Sequence, residues 1–274
     1  MRRIVVLLVL GLVVGLWPAA SGVAHGSTAA QAAPARSLQA DFNSDGADDL
    51  AVGVPLDDVG TVVGAGAVNV LYGSATGLTG TGSQLFSQDT PGVPGNAEVD
   101  DGFGFALASG DFNGDTCADL AVGAPGEGVG TAAAAGAVNV LYGSATGLTG
   151  TGSQLFSQVG GAVEPGDEFG AALAAGDFNS DTFADLAAGA PFERVGSTPD
   201  AGAVSVLPGS AGGLTVVGGQ LFTQDSPGVP GSAQELDIFG FTLATGDPGP
   251  AATPAPAASA SGPSSRTRRT APVR

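Results

Sequence analysis

The sequence contains no lysine, a single cysteine and a single histidine, and these shortages exclude most hydrolytic active sites. His25 lies in the N-terminal segment, so the remaining chain has no imidazole to act as a general base or as a zinc ligand. Cys117 has no second cysteine to pair with and no histidine to activate it. We therefore expect that the protein is not an enzyme and that its function lies in binding.

Basic residues are also scarce, since 26 acidic side chains are opposed by only 8 arginines, for a net charge of −18. A surface this acidic repels phosphate backbones, which argues against nucleic acid as a partner. Cations are the natural ligands of such a chain. With 43% hydrophobic residues the chain is apolar enough to fold, and its 47 glycines predict many tight turns.

The two ends of the chain differ in composition from the middle. Arg2 and Arg3 precede an apolar run over residues 4–16 and then small residues, which predicts a signal peptide and leader over residues 1–32 and a secreted, extracellular protein. Cleavage after Ala24 and cleavage within residues 30–32 both fit. Residues 248–274 are rich in Pro, Ala and Arg and predict a disordered tail, either functional or the product of a truncation or frameshift.

Internal repeats organise the segment between these ends. Residues 65–88 recur unchanged at residues 135–158, and a diverged copy occupies residues 201–224. Repetition at this period indicates an array of similar structural units. The predicted units span residues 37–102, 103–168 and 169–238, and an incomplete one spans residues 239–247.

Each unit contains four short runs typical of strands, separated by turn residues. In the second unit the runs are residues 103–108, 119–123, 136–142 and 154–158, and the third run alternates with a period of two. No segment shows an extended helical stripe. We therefore predict an all-β fold of four-stranded antiparallel sheets resembling propeller blades, with about three blades and the first strand of a fourth.

Three loops carry most of the chemistry. Their sequences are DFNSDGADD, DFNGDTCAD and DFNSDTFAD, and each has oxygen-bearing side chains at positions 1, 3, 5 and 9. Calcium takes about 6–8 oxygen ligands, which alternate side chains of a tight loop supply together with a main-chain carbonyl at position 7 and a water. The predicted metal ligands are Asp41, Asn43, Asp45, Asp49, Asp111, Asn113, Asp115, Asp119, Asp177, Asn179, Asp181 and Asp185.

Two other interpretations of the loops were weighed. An EF-hand requires a glutamate at position 12, where this chain has Val52, Val122 and Ala188. An Asp/Asn-rich turn that only caps a hairpin explains one copy, but three copies at the same place in the repeat favour calcium binding.

The loops, the phrases FGFALASGD and FGAALAAGD, and the phrases VGVP, VGAP and AGAP resemble FG-GAP repeats. These repeats build the seven-bladed propeller of integrin alpha chains and occur in many bacterial exported proteins. The resemblance implies that this chain is a fragment of such a propeller, that the loops bind calcium, and that ligands bind on the opposite face. Acidic residues on that face serve either solubility or binding.

The resemblance leads to a functional expectation with one alternative. The expected function is a secreted, calcium-binding module for binding or adhesion, with an extracellular protein or glycan as partner. The alternative is a truncated, non-catalytic fragment of an extracellular FG-GAP-containing hydrolase such as a phospholipase. Because three blades do not close a ring, we also expect self-association through open blade flanks.

One departure from the family pattern concerns loop position 6, where the family has glycine. Gly46 fits this pattern, but Thr116 and Thr182 replace glycine in the other two loops. A β-branched residue at positive φ is strained, so the second and third loops are predicted to bind calcium more weakly than the first.

Overall fold

The computed structural model describes residues 40–246, and these form three antiparallel sheets with no helix. The predicted signal peptide and leader, the predicted tail and Asp247 lie outside this range. Since the described residues contain no helix, none is long and apolar enough to cross a membrane. The strands are β1 (Leu50–Val54), β2 (Ala67–Tyr72), β3 (Thr79–Phe86), β4 (Leu107–Gly110), β5 (Asp119–Ala124), β6 (Ala137–Tyr142), β7 (Thr149–Phe156), β8 (Ala172–Gly176), β9 (Asp185–Ala190), β10 (Ala203–Leu207) and β11 (Gln220–Phe222).

Each sheet is made of consecutive strands, as expected for propeller blades. Strands β1 to β3 form blade 1, strands β4 to β7 form blade 2, and strands β8 to β11 form blade 3, with every neighbouring pair antiparallel. The predicted all-β, partial propeller-like fold is therefore confirmed. Among the described residues, blade 1 has three strands where the prediction had four.

The hydrophobic core lies between neighbouring blades. One cluster joins Val68, Val70 and Phe86 of blade 1 to Leu120 and Leu141 of blade 2. A second cluster joins blade 2 to blade 3 in the same way. Strand β5 is buried at every position, because both of its faces are covered by a neighbouring blade.

Glycine allows the blades to approach closely at one repeated position. A Cβ atom on Gly53 would lie 2.0 Å from the carbonyl oxygen of Gly104, and one on Gly123 would lie 2.1 Å from that of Gly170. Neither distance is possible for a real side chain. The glycine at this position of the strand therefore lets the backbones of neighbouring blades approach closely.

Two predicted strand boundaries are wrong. The first run of blade 2 was predicted from Phe103, but residues 103–106 form a turn and β4 begins at Leu107. Gly104 has a φ of 92°, and the Phe103 amide donates to Ala65 of blade 1, so this phrase joins blades before the strand begins. The last run was predicted over residues 154–158, but β7 starts at Thr149 and ends at Phe156 despite its glycines.

The predicted first strand of a fourth blade is also wrong within the described residues, because residues 239–246 contain no strand. They nevertheless repeat the contact made by the equivalent phrases elsewhere. The Phe239 amide donates to the Ala201 carbonyl at 2.9 Å, as the Phe103 amide does to that of Ala65. Within residues 40–246 the segment has no neighbouring strand of the kind that β5 provides for β4, and a strand requires such a pairing partner.

Candidate calcium site

The first loop is folded around its own side-chain oxygens. The Asp45 amide lies 3.1 Å from both Oδ1 of Asp41 and Oδ1 of Asn43, so these two oxygens converge on one point. Oδ2 of Asp41 accepts a hydrogen bond from Gly46, and Oδ1 of Asp45 accepts one from Ala47. Positions 1, 3 and 5 thus turn their oxygens toward the interior of the loop.

The second and third loops have the same geometry. The Asp115 amide donates to Asp111 at 3.1 Å and to Asn113 at 2.9 Å. In the third loop the corresponding distances, from the Asp181 amide to Asp177 and Asn179, are 3.1 Å and 2.8 Å. The predicted ligands at positions 1, 3 and 5 are therefore brought together in all three loops.

The aspartate at position 9 is held differently, by main-chain groups from two separate segments. Oδ2 of Asp119 accepts from the Phe112 amide and Oδ1 accepts from the Gly143 amide, each at 2.9 Å. Asp49 and Asp185 make the equivalent pairs of bonds. These three carboxylates are buried, and each ties its loop to a glycine just after β2, β6 or β10.

Burial of position 9 has an electrostatic consequence. Loss of solvation is the largest of the effects that raise the pKa of Asp119 to about 7; the charges of Asp115 and Asp111 act in the same direction, and the two hydrogen bonds oppose them. Burial likewise raises the pKa of Asp49. The carboxylates thus favour a positive charge beside them.

The donor set agrees with a hard cation such as calcium, because every side chain at positions 1, 3, 5 and 9 offers oxygen. In residues 40–246, however, no three His, Cys, Asp or Glu side chains lie close enough together to hold a metal ion. The three carboxylates of each loop, at positions 1, 5 and 9, all accept hydrogen bonds from main-chain amides, and the side chain at position 3 is an amide. The assignment of the twelve ligands and of calcium itself stays a prediction.

The backbone at position 6 behaves as the sequence predicts. The φ angles are 88° at Gly46, 76° at Thr116 and 81° at Thr182. The two threonines therefore occupy a conformation that β-branched residues rarely adopt. Nothing lies within 4 Å of a Cβ built on Gly46, so the strain at this position comes from the backbone alone.

Neighbouring loops are linked to one another through their main chains. The Asp41 carbonyl accepts from the Ala118 amide at 3.0 Å, and the Asp111 carbonyl accepts from the Ala184 amide at 2.9 Å. A side-chain bond adds to the first link, where the Ser44 hydroxyl donates to the sulfur of Cys117. Cys117 is a free, buried thiol, as expected, and burial raises its pKa. The three loops thus form a continuous row along one face.

A second link between blades was not identified from the sequence. The Tyr72 hydroxyl of blade 1 donates to Gln84 and accepts from the Leu148 amide of blade 2, while Gln84 donates to the Leu148 carbonyl. Tyr142, Gln154 and Leu214 repeat this Tyr–Gln clamp between blades 2 and 3. The signal was present, because the chain has only two tyrosines and each precedes a glutamine by the same interval.

On the opposite face, glutamines meet carboxylates at each blade junction. Gln88 donates to the buried Glu127. At the next junction Gln158 faces Glu193, although neither amide atom of Gln158 makes a hydrogen bond. Burial, together with the charges of Asp167 and Glu164, raises the pKa of Glu193 to about 7. The acidic residues of this face are therefore partly structural.

Comparison with known proteins agrees with this geometry. The FG-GAP repeat family model matches residues 103–141 and 169–207, which contain the second and third loops. Bovine phosphatidylinositol-glycan-specific phospholipase D is 36% identical over 156 residues, which is 56% of this chain and 18% of the phospholipase. Integrin alpha-3 of Cricetulus griseus is 34% identical over 167 residues, which is 58% of this chain and 14% of the integrin.

Integrin alpha-PS2 of Drosophila melanogaster is 35% identical over 159 residues, 55% of this chain and 11% of the integrin. The chain thus spans less than a fifth of the length of each of these relatives. The blades and these matches define a β-propeller-like protein similar to integrin alpha chains. Residues 103–141 and 169–207 of this protein are therefore FG-GAP repeats.

Proposed function

We propose that the protein is an exported, calcium-binding FG-GAP module that acts by binding an extracellular protein or glycan and not by catalysis. The observation that carries the proposal is the recurrence of one oxygen-lined loop at the same place in three consecutive blades. Calcium held by positions 1, 3, 5 and 9 would neutralise the loop carboxylates and fix the row of loops. The likeness to integrin alpha chains supports the role in adhesion.

Two loop-one variants of equal charge change test the calcium site. Asp45→Asn removes the charge and one of the two oxygens of a proposed ligand but keeps an oxygen that can accept from Ala47, whereas Asp48→Asn changes an exposed residue of the same loop that is not a proposed ligand. In calorimetric titration we expect Asp45→Asn to abolish calcium uptake by one site and Asp48→Asn to retain it. Equal losses in the two variants, or no uptake by the unaltered chain, would overturn the proposal.

Calcium that binds only the folded chain raises its free energy of unfolding by about 2.7 kcal/mol at a hundredfold excess over Kd. We therefore expect a chelator to lower the melting temperature of the unaltered chain more than that of Asp45→Asn. A melting temperature indifferent to the chelator contradicts calcium binding.

A second candidate function follows from the likeness to phosphatidylinositol-glycan-specific phospholipase D. In this alternative the chain is a non-catalytic part of a similar hydrolase. The described residues have no histidine, and the one cysteine is a buried thiol with a raised pKa. We expect no hydrolysis of a glycosylphosphatidylinositol substrate by the purified chain, and hydrolysis that survives purification would overturn the non-catalytic assignment.

Export is a separate part of the proposal. It is supported by the apolar run over residues 4–16 and by the small residues that follow. Expression with the natural N-terminus in a bacterial host is expected to release the protein into the periplasm or medium. N-terminal sequencing then distinguishes cleavage after Ala24 from cleavage within residues 30–32, and an uncleaved cytoplasmic product contradicts export.

A further inference from the structure

The junction between blades 1 and 2 defines two complementary surfaces. The back flank of blade 1 presents Val68, Val70 and Phe86, beside Tyr72, Gln84 and Gln88. These residues cover the front flank of blade 2, which consists of Leu120, Val122, Leu141 and Leu148. The same two kinds of flank meet between blades 2 and 3.

Blade 1 carries an identical front flank that no other part of residues 40–246 covers. Its residues are Leu50, Val52, Leu71 and Leu78, the same residue types in the same order as in blade 2. Leu50 is 44% exposed and Val52 39%, whereas their counterparts Leu120 and Val122 are 1% and 0% exposed. An apolar surface of this kind favours association.

Blade 3 carries the matching back flank at the other side of the array. Five of the six residues of the back flank of blade 1 are retained there, and the sixth, Tyr72, is replaced by Pro208. Phe178 adds to this flank and is 49% exposed, although its counterparts Phe42 and Phe112 are fully buried at blade junctions. The five retained residues are Val204, Val206, Gln220, Phe222 and Gln224.

Gln224 occupies in blade 3 the position that Gln88 occupies in blade 1. The Nε2 atom of Gln88 donates to Glu127 of the following blade, so the amide group of Gln224 has the position of a donor to a carboxylate of an adjoining blade. The front flank of blade 1 holds Asp57 at the position that Glu127 occupies in blade 2. A glutamine and a carboxylate therefore remain at the two flanks, in the arrangement that pairs them at an internal junction.

We propose that the back flank of blade 3 binds the front flank of blade 1 in a second copy of this chain, head to tail. The proposal goes beyond the calcium-binding function and does not depend on it. The second copy is favoured as occupant because the contact continues an interface that the chain already makes twice, with the same side chains. Such heterologous contacts close into rings or extend into filaments according to their rotation.

One feature makes this contact weaker than the internal junctions. Pro208 has no hydroxyl. The contact between two copies therefore lacks a counterpart of the hydrogen bond that the Tyr72 hydroxyl accepts from the Leu148 amide at the internal junction. Gln220 is the counterpart in blade 3 of Gln84, which donates to the Leu148 carbonyl at the internal junction, so this hydrogen bond is retained in the proposed contact. We therefore expect an association that depends on concentration in the micromolar range.

Sedimentation of the full chain with two flank variants tests the proposal. Leu78→Asp places a charge on the front flank of blade 1, and Phe222→Asp places one on the back flank of blade 3. We expect the unaltered chain to associate as concentration rises, and each variant alone to remain monomeric with at least a tenfold weaker self-association. Val99→Asp, an exposed site outside both flanks, is the matched control and should associate as the unaltered chain does.

Mixing the two variants distinguishes a head-to-tail contact between copies from other modes of self-association. An equimolar mixture contains one intact front flank and one intact back flank, so we expect it to form a heterodimer. Failure of the folded variants to recover association on mixing overturns the head-to-tail arrangement. A chain that is monomeric at every concentration overturns the proposal outright and means that other segments of the same chain cover the flanks. Circular dichroism checks folding; Leu50→Asp replaces Leu78→Asp, and Phe178→Asp replaces Phe222→Asp, if either variant fails to fold.

Discussion

Blades 1 and 2 share identical residues over 65–88 and 135–158, yet the two segments are buried to different extents. Leu78 is 51% exposed and its counterpart Leu148 is 3% exposed. The strands have the same bounds within the repeat and even the same register irregularity between the second and third strands. Local sequence therefore determines the blade, and the neighbouring blade determines which of its apolar residues become core.

The largest expected effect tests directly whether the neighbouring blade determines which apolar residues become core. Leu148→Ala removes a buried side chain and leaves a cavity, which costs about 2–5 kcal/mol in the free energy of unfolding. Leu78→Ala removes the same atoms from an exposed position and should change stability by less than about 0.5 kcal/mol. Chemical denaturation at a concentration where the chain is monomeric measures both.

Equal losses in the free energy of unfolding for Leu148→Ala and Leu78→Ala would contradict this comparison of blades 1 and 2. They would show that the front flank of blade 1 is buried in the monomer. Leu155→Ala provides a further control in blade 2, since Leu155 is exposed although it belongs to the interior of the array. Its substitution should resemble Leu78→Ala.

A smaller effect concerns the loops, in which the two blades differ in sequence. Thr116→Gly should relieve the positive φ of loop two, and Gly46→Thr should introduce the same strain into loop one. Each change is worth about 1–2 kcal/mol, in opposite directions. Calcium affinity should therefore rise about tenfold in loop two and fall about tenfold in loop one, as measured by calorimetric titration.

Thr182→Gly serves as the internal control, because loop three has the same positive φ and should respond as loop two does. If Gly46→Thr leaves both calcium affinity and melting temperature unchanged, the backbone at position 6 does not limit binding. The stated order of affinities among the loops would then be wrong.

The features that were predictable from the sequence are those specified within one repeat. The antiparallel strands, the positive φ of Thr116 and the close approach at Gly53 follow from alternation, glycine pattern and turn residues. The double hydrogen bonding of Asp119 was not predictable, since a motif identifies an oxygen but not the amides that compete for it. The Tyr72 clamp was missed because its partner lies 76 residues away, in another blade.

The smallest expected effect compares the two junctions on the opposite face through their response to pH. Burial raises the pKa of Glu193 to about 7, from an ordinary value of 4.5. The folded protein therefore holds a proton that the unfolded chain releases between these values, so stability is highest below pH 4.5 and falls as pH rises toward 7. Glu127 is shifted in the same direction by burial, but its partner Gln88 donates to it directly.

Glu193→Gln should remove the part of the pH dependence that Glu193 contributes, because an amide does not titrate. The variant is expected to gain stability relative to the unaltered chain as pH rises from 5 to 8, as measured by denaturation at each pH. Comparing the two proteins at the same pH cancels the titration of the loop aspartates, and the exposed Glu235→Gln controls for loss of one charge. A stability difference that is flat across this range means that the pKa of Glu193 is not raised in the folded state and contradicts the prediction.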